Sequence, residues 1–183
     1  MELMMVLSIM GIILAVAAPS FEDFRRNNRL SAAGNDFLTA LQLARTESIK
    51  RQISVSLCPS TNPTAAVASC SVGPYRGWIV FQDDNGDCAR QPAELLVRGE
   101  GPLDARLNVQ SDGRCVSFAP TGFTRAAVAP IASSHVVFCD ERGIVLQQGT
   151  NGSAARGVEL NQSGRAHVTR DQTELTAWAL ACP

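Results

Sequence analysis

Asp83, Asp84, Asn85 and Asp87 fall within five positions, a density of oxygen donors that suits calcium. The stretch lacks the spacing and the distal glutamate of an EF-hand, and Asn85-Gly86 equally signals a tight hairpin turn. Of the two histidines, His135 stands in "SSHVVFC", where a packed or solvent-facing strand histidine is the plain reading. No G-x-S-x-G, H-E-x-x-H, P-loop or G-x-G-x-x-G occurs. The chain therefore reads as non-enzymatic, with no cofactor and no metal. Six cysteines (Cys58, Cys70, Cys88, Cys115, Cys139 and Cys182) contain no C-x-x-C pair, which argues against zinc and thioredoxin chemistry. Disulfides formed in an oxidising compartment suit them better, with fifteen pairings open.

Charge narrows the partners. Sixteen basic and seventeen acidic residues leave a net charge of −1, so no global positive field draws in nucleic acid. Basicity is almost wholly arginine, since Lys50 is the only lysine. Any anion site must be local, and a guanidinium suits bidentate phosphate contact.

The remaining oddity is Glu2, a carboxylate leading the apolar run "LMMVLSIMGIILAVAA", Leu3 to Ala18. A charge at a bilayer centre costs about 2.5–3.5 kcal/mol, so it calls for a reason. A secretory signal peptide places basic residues before its apolar run; here Arg25 is the first arginine, although Ala15-Val16-Ala17 has the small-x-small form of a cleavage site. A buried helix of a soluble core needs other long helices around it, and none is evident. The third reading is a membrane segment whose leading carboxylate has a task. Pro19 removes a backbone donor, so a kink or local melting is expected there.

From Ser20 to about Gln52 the pattern becomes that of an amphipathic helix. Leu30, Phe37, Leu41, Ala44 and Ser48 fall at helical spacings, with Ala33 and Ala40 beside them. Arg25, Arg26 and Arg29 are read as headgroup contacts at a membrane edge. Beyond Gln52 short strands follow one another. "ISVSLC" alternates, "GWIVFQ" is a strong strand, and Asn85-Gly86 predicts a hairpin. Further strands are expected at 94–98, 106–110, 115–118, 135–139, 144–146, 157–160, 166–169 and 175–179. The fold class is α+β: one long N-terminal helix on an antiparallel sheet or sandwich.

"ELMMVLSIMGIILAVAAPSF" resembles the N-terminal helix of type IV pilins and type II secretion pseudopilins. "NNRLSAAGNDFLTALQLARTESIKRQISVSLCPS", "GWIVFQDDNGD", "FAPTG", "FCDERG" and the terminal "CP" resemble the FimT/GspH family of minor pilins, nearer its FimT side. The resemblance implies a pilin-like fold in three parts: residues 1–19 embedded in the inner membrane, 20–52 continuing the helix, and 53–183 forming a β-rich periplasmic head. It implies a basic leader preceding this block, cut by prepilin peptidase, with Met1 either a late start or the edge of a longer sequence. It makes Glu2 and Pro19 filament-assembly residues, Glu2 facing the N-terminal ammonium of a neighbouring pilin. Of the open pairings, Cys58–Cys70, Cys88–Cys115 and Cys139–Cys182 are the ones expected, the last because pilin-like heads often tie back their C-terminus.

"NQSGRAHVTRD", 161 to 171, resembles the Gly-Arg-x-Arg loop with which FimT-type minor pilins contact DNA. Gly164 and Arg165 match; the fourth position is His167, whose neutral imidazole supplies no fixed charge. Arg170 substitutes for the missing arginine only if it shares a face with Arg165, and Arg142 and Arg156 are candidates to extend the patch. The resemblance implies a minor pilin serving pilus biogenesis and DNA uptake in natural transformation. The alternative is a minor pseudopilin with a purely structural part in type II secretion.

Overall fold

The computed structural model describes residues 2–71, 76–125, 134–144, 152–178, 180 and 182, with only the backbone of 14–20. A single helix, α1 (Glu2–Arg51), runs unbroken across Pro19, so the local melting expected there does not occur. At 1.5 Å per residue it is about 75 Å long. Leu3 to Ile13 expose every large apolar side chain, from Met4 at 74% to Ile9 at 51%. Among the described residues, no helix is long and apolar enough to cross a membrane. From Leu30 onward the helix is buried on one stripe: Leu30, Ala33, Phe37, Ala40, Leu41, Ala44 and Ser48 are each at most 4% exposed. These are the positions that the three- and four-residue spacing selects. Burying each large side chain contributes about 1.5–3 kcal/mol.

The stripe lies over two four-stranded antiparallel sheets. The first contains β1 (Val55–Pro59), β2 (Trp78–Gln82), β3 (Leu96–Glu100) and β5 (Val116–Phe118), in the order β3-β2-β1-β5. The second contains β4 (Asn108–Ser111), β6 (His135–Cys139), β7 (Gly152–Leu160) and β8 (Ala166–Asp171), in the order β4-β6-β7-β8. Phe37 of the helix is 5.2 Å from Trp78 of the first sheet and 5.5 Å from Phe138 of the second, edge to face. Helix and both sheets therefore share one core. The cysteines pair as Cys58–Cys70, Cys88–Cys115 and Cys139–Cys182.

Three expectations need correction. The strand expected at 175–179 is a short helix, α2 (Gln172–Ala177), packed on the outer face of the second sheet through Leu175 and Trp178. Its cap is Asp171, which accepts from the backbone N–H of Thr173 at 2.7 Å and of Glu174 at 3.4 Å. Asp171-x-x-Glu174 is a helix-start pattern that the alternation of Leu175 and Ala177 masked. Asn85-Gly86 does not form a two-residue hairpin either: β2 and β3 pair, but residues 83–95 lie between them. Asp83, fully buried, organises that loop by accepting from the N–H groups of Gly86, Asp87 and Cys88. Its oxygens are thus occupied by backbone donors. Finally, β7 starts at Gly152 rather than at 157. The strand expected at 144–146 lies outside the described residues apart from Ile144.

Candidate functional site

The β7–β8 turn is closed by its own polar atoms. Gly164 N–H donates to the Asn161 carbonyl at 2.9 Å, and the Asn161 side-chain oxygen accepts from the N–H of Arg165 at 3.0 Å and the hydroxyl of Ser163 at 2.7 Å. Gly164 has φ +76°, and a Cβ there would lie 2.3 Å from the carbonyl oxygen of Gly122. Only glycine suits both conditions. The loop from Phe118 to Arg125 runs alongside, joined by the Thr124 N–H donating to the Gln162 carbonyl at 3.1 Å. From below, Arg45 of α1 donates to the Gly164 carbonyl at 3.1 Å.

Arg165 is therefore exposed on a turn fixed by two neighbouring elements. Sequence reasoning missed Arg45 and the adjoining loop, which carries Phe123 at 57% exposure. Arg45 stands at a spacing that reads as solvated helix surface, so nothing local marked it. Lys50 and Arg51 end the same helix and share Glu47, at 3.7 Å for Lys50. Arg51, as the largest cause, holds the Glu47 carboxyl below its usual range. This end of the head thus carries an excess of cations.

The other candidate residues separate. His167 is beside Glu159 across the β7–β8 ladder, Nε2 to Oε2 3.5 Å, on the outer face. Strand alternation turns Arg170 to the opposite face, the one Arg156 occupies. Arg170 consequently does not stand in for a second arginine beside Arg165. Arg156 does not extend the patch either. It is 5% exposed, lies against α1 and donates to Ser31 Oγ at 3.1 Å and to the Ala154 carbonyl at 2.7 Å. Burial, with the nearby charges of Arg170 and Arg142, lowers its pKa to about 10. Arg142 belongs to the other end of the head. It grips Asp140 at 2.7 Å, beside Glu141, which pairs with Arg26 at 2.9 Å. Arg26 and Arg45 are about 28 Å apart along the helix.

One long helix laid across a disulfide-tied, two-sheet head is the architecture of a pilin-like protein. Residues 33–164 match the model of the family described as type II transport protein GspH, and the chain belongs to that family. Its members are minor pilins and pseudopilins of the type IV pilus and type II secretion kind. The pilin-like protein PilA1 of Thermus thermophilus is 26% identical over 173 residues, covering 92% of this chain and 94% of that one. The type IV minor pilin FimU of Pseudomonas aeruginosa aligns with a TM-score of 0.47 at 16% identity, covering 82% of this chain and 94% of that one.

Proposed function

We propose that the chain is a minor pilin of a type IV pilus, serving pilus biogenesis and DNA uptake during natural transformation. The observation that supports DNA contact is Arg165, exposed on a turn that Arg45 and Gly122 hold in place. With one exposed guanidinium at the tip and few neighbours, a single head contacts phosphate weakly and without sequence preference. Capture then depends on several heads acting together, or on other pilins. Residues 1–19 anchor the chain in the inner membrane, 20–52 continue the helix, and 53–183 form the periplasmic head, after processing by prepilin peptidase. The exposed apolar surface from Leu3 to Ile13 supports that anchor. Glu2 sets register against a neighbouring pilin, because a buried carboxylate is tolerable only when paired. Incorporation into filaments should therefore fall for Glu2→Ala, and unchanged incorporation would refute the assignment.

The experiment that tests DNA contact is fluorescence anisotropy of labelled DNA with the full-length chain in non-ionic detergent, at low and moderate salt. Salt-sensitive binding that Arg165→Ala removes is the expected result. No binding at low salt would leave the second reading, a structural pseudopilin of type II secretion, which the matched family's description favours.

A further inference from the structure

We infer that a cleft at the opposite end of the head, where α1 leaves it, binds the phosphate of an anionic membrane phospholipid. This rests on the membrane-anchored reading above. The cleft has a volume of about 540 Å³ and lies between α1 and the turn before β4. Phe21, Glu22, Arg25 and Arg29 face it from the helix, Asp104 and Arg106 from the head.

The sequence reading gave Arg25, Arg26 and Arg29 one common role at the membrane edge, and the structure divides them. Arg29 bonds Asp104 at 2.9 Å, and Arg26 bridges Glu22 at 3.2 Å and Glu141 at 2.9 Å. These two arginines clamp the helix to the head. Asp104 also accepts from the N–H of Arg106 at 2.9 Å, which with Arg29 keeps its carboxyl below the usual range. Both carboxylates of the cleft are therefore committed. Arg25 and Arg106, one from each wall, are in no ion pair among the described residues. They are two donor forks around a concave space, the geometry that a phosphodiester satisfies.

A neighbouring cleft of about 360 Å³ shares Glu22, Arg29 and Arg106, but it adds Arg26, Asp140 and Glu141 and so has equal numbers of cations and anions. Of these two clefts, the first has the excess of positive charge, three arginines against two carboxylates. Its apolar side points to a lipid rather than a free ion. Phe21 is 62% exposed, Phe24 is 58% exposed with its ring 6.4 Å from that of Phe21, and the apolar run of the sequence ends just before them, at Ala18. Phe21 follows the end of that run by about 4.5 Å along the helix axis. Aromatic side chains at that depth belong to the level of the headgroups.

The test uses the full-length chain with vesicles of phosphatidylcholine alone or containing phosphatidylglycerol, followed by detergent extraction and native mass spectrometry of the lipid retained. One retained phosphatidylglycerol per chain is expected. Arg25→Gln with Arg106→Gln should weaken retention roughly twenty-five-fold, at about fivefold for each arginine near an anionic surface. Arg114→Gln, an exposed arginine elsewhere, should leave it unchanged. Matching thermal unfolding of all variants would show that the fold is intact. Retention that is unaffected by the double substitution, or equal for the two lipids, would overturn the cleft while leaving the anchor. Displacement of the lipid by millimolar inorganic phosphate would reduce the site to a free-phosphate site and overturn the lipid assignment. A chain that enters vesicles of neither composition would overturn anchor and cleft together.

Discussion

The guanidinium of Arg45 donates to the carbonyl of Gly164 at 3.1 Å, across 119 positions of sequence. It joins the helix that carries the head to the turn that displays Arg165. The same guanidinium would sit 3.3 Å from a Cβ at Gly164 and 3.4 Å from one at Gly122. Helix, turn and neighbouring loop meet there without room for another carbon.

Gly164→Ala should therefore be costly. A left-handed φ costs a non-glycine residue about 1–2 kcal/mol, and the contact with the Gly122 carbonyl adds to it. The midpoint of thermal unfolding is expected to fall by several degrees, and an unchanged midpoint would show that the turn relaxes freely. Arg45→Met keeps the apolar stem and removes the hydrogen bond, for a loss of about 1 kcal/mol.

Gly34→Ala should do the opposite. Gly34 is within α1, and an added Cβ would find its nearest neighbour, Arg156 Cβ, at 3.5 Å, an ordinary contact. Replacing a helical glycine by alanine then contributes up to about 1 kcal/mol of stability. Thermal unfolding of the variant beside the parent chain decides it, and a fall would mean that the helix packs more tightly on Arg156 than this spacing allows.

The ion pairs at the end of the head beside Arg26 and Arg29 should weaken in acid. Burial works against the charge of Asp140, but the side-chain and backbone donors of Arg142 outweigh it and hold the carboxyl below its usual range. Asp104 is lowered too, by the Arg106 N–H and then by Arg29. A carboxyl whose pKa is lower folded than unfolded contributes stability above its unfolded value, about 3.9, and that contribution disappears as pH falls through the folded value. Stability should hold from pH 7 to about 5 and decline below pH 4. Asp140→Asn should cost about 1–2 kcal/mol at pH 7 and flatten the acid limb. Glu94 behaves inversely: burial raises its pKa, so its contribution is present in acid and lost as pH rises through the folded value. Unfolding midpoints from pH 7 to 3 for parent and variant are the measurement.

The helix and its buried stripe were legible because a 3.6-residue period survives in one continuous segment. Most strands were found as well, since β2 and β6 are apolar runs with clear ends. Their limits were less legible, because side-chain caps made elsewhere set them: Glu94 accepts from the N–H of Asp84 and of Gln91 just before β3. α2 was misread for a related reason, its signal lying in Asp171 and not in the apolar pattern. At the candidate site, Gly164 and Arg165 were visible as a local motif. Arg45, Gly122 and Thr124 were not, because their relation to the turn exists only after folding. Neither was the burial of Arg156, which as a lone sequence letter reads as surface charge.

The separation of Arg165 from Arg170 gives the sharpest discrimination at that site. Five residues of strand span about 16 Å, and alternation sends Arg170 to the face that Arg156 occupies. On the outer face His167 is next to Glu159 at 3.5 Å, so a phosphate approaching the imidazole there also meets a carboxylate. If DNA is bound by way of the turn, Arg165→Ala should weaken binding at every sequence and lower the slope of log affinity against log salt by about 1. Arg170→Ala should leave affinity and slope unchanged. Glu159→Gln should strengthen binding modestly, by removing a negative charge from the approach. Loss of affinity in Arg170→Ala equal to that in Arg165→Ala, with both variants folded, would mean that nucleic acid wraps the edge of β8 and reaches both faces, and the single-turn contact would have to be abandoned.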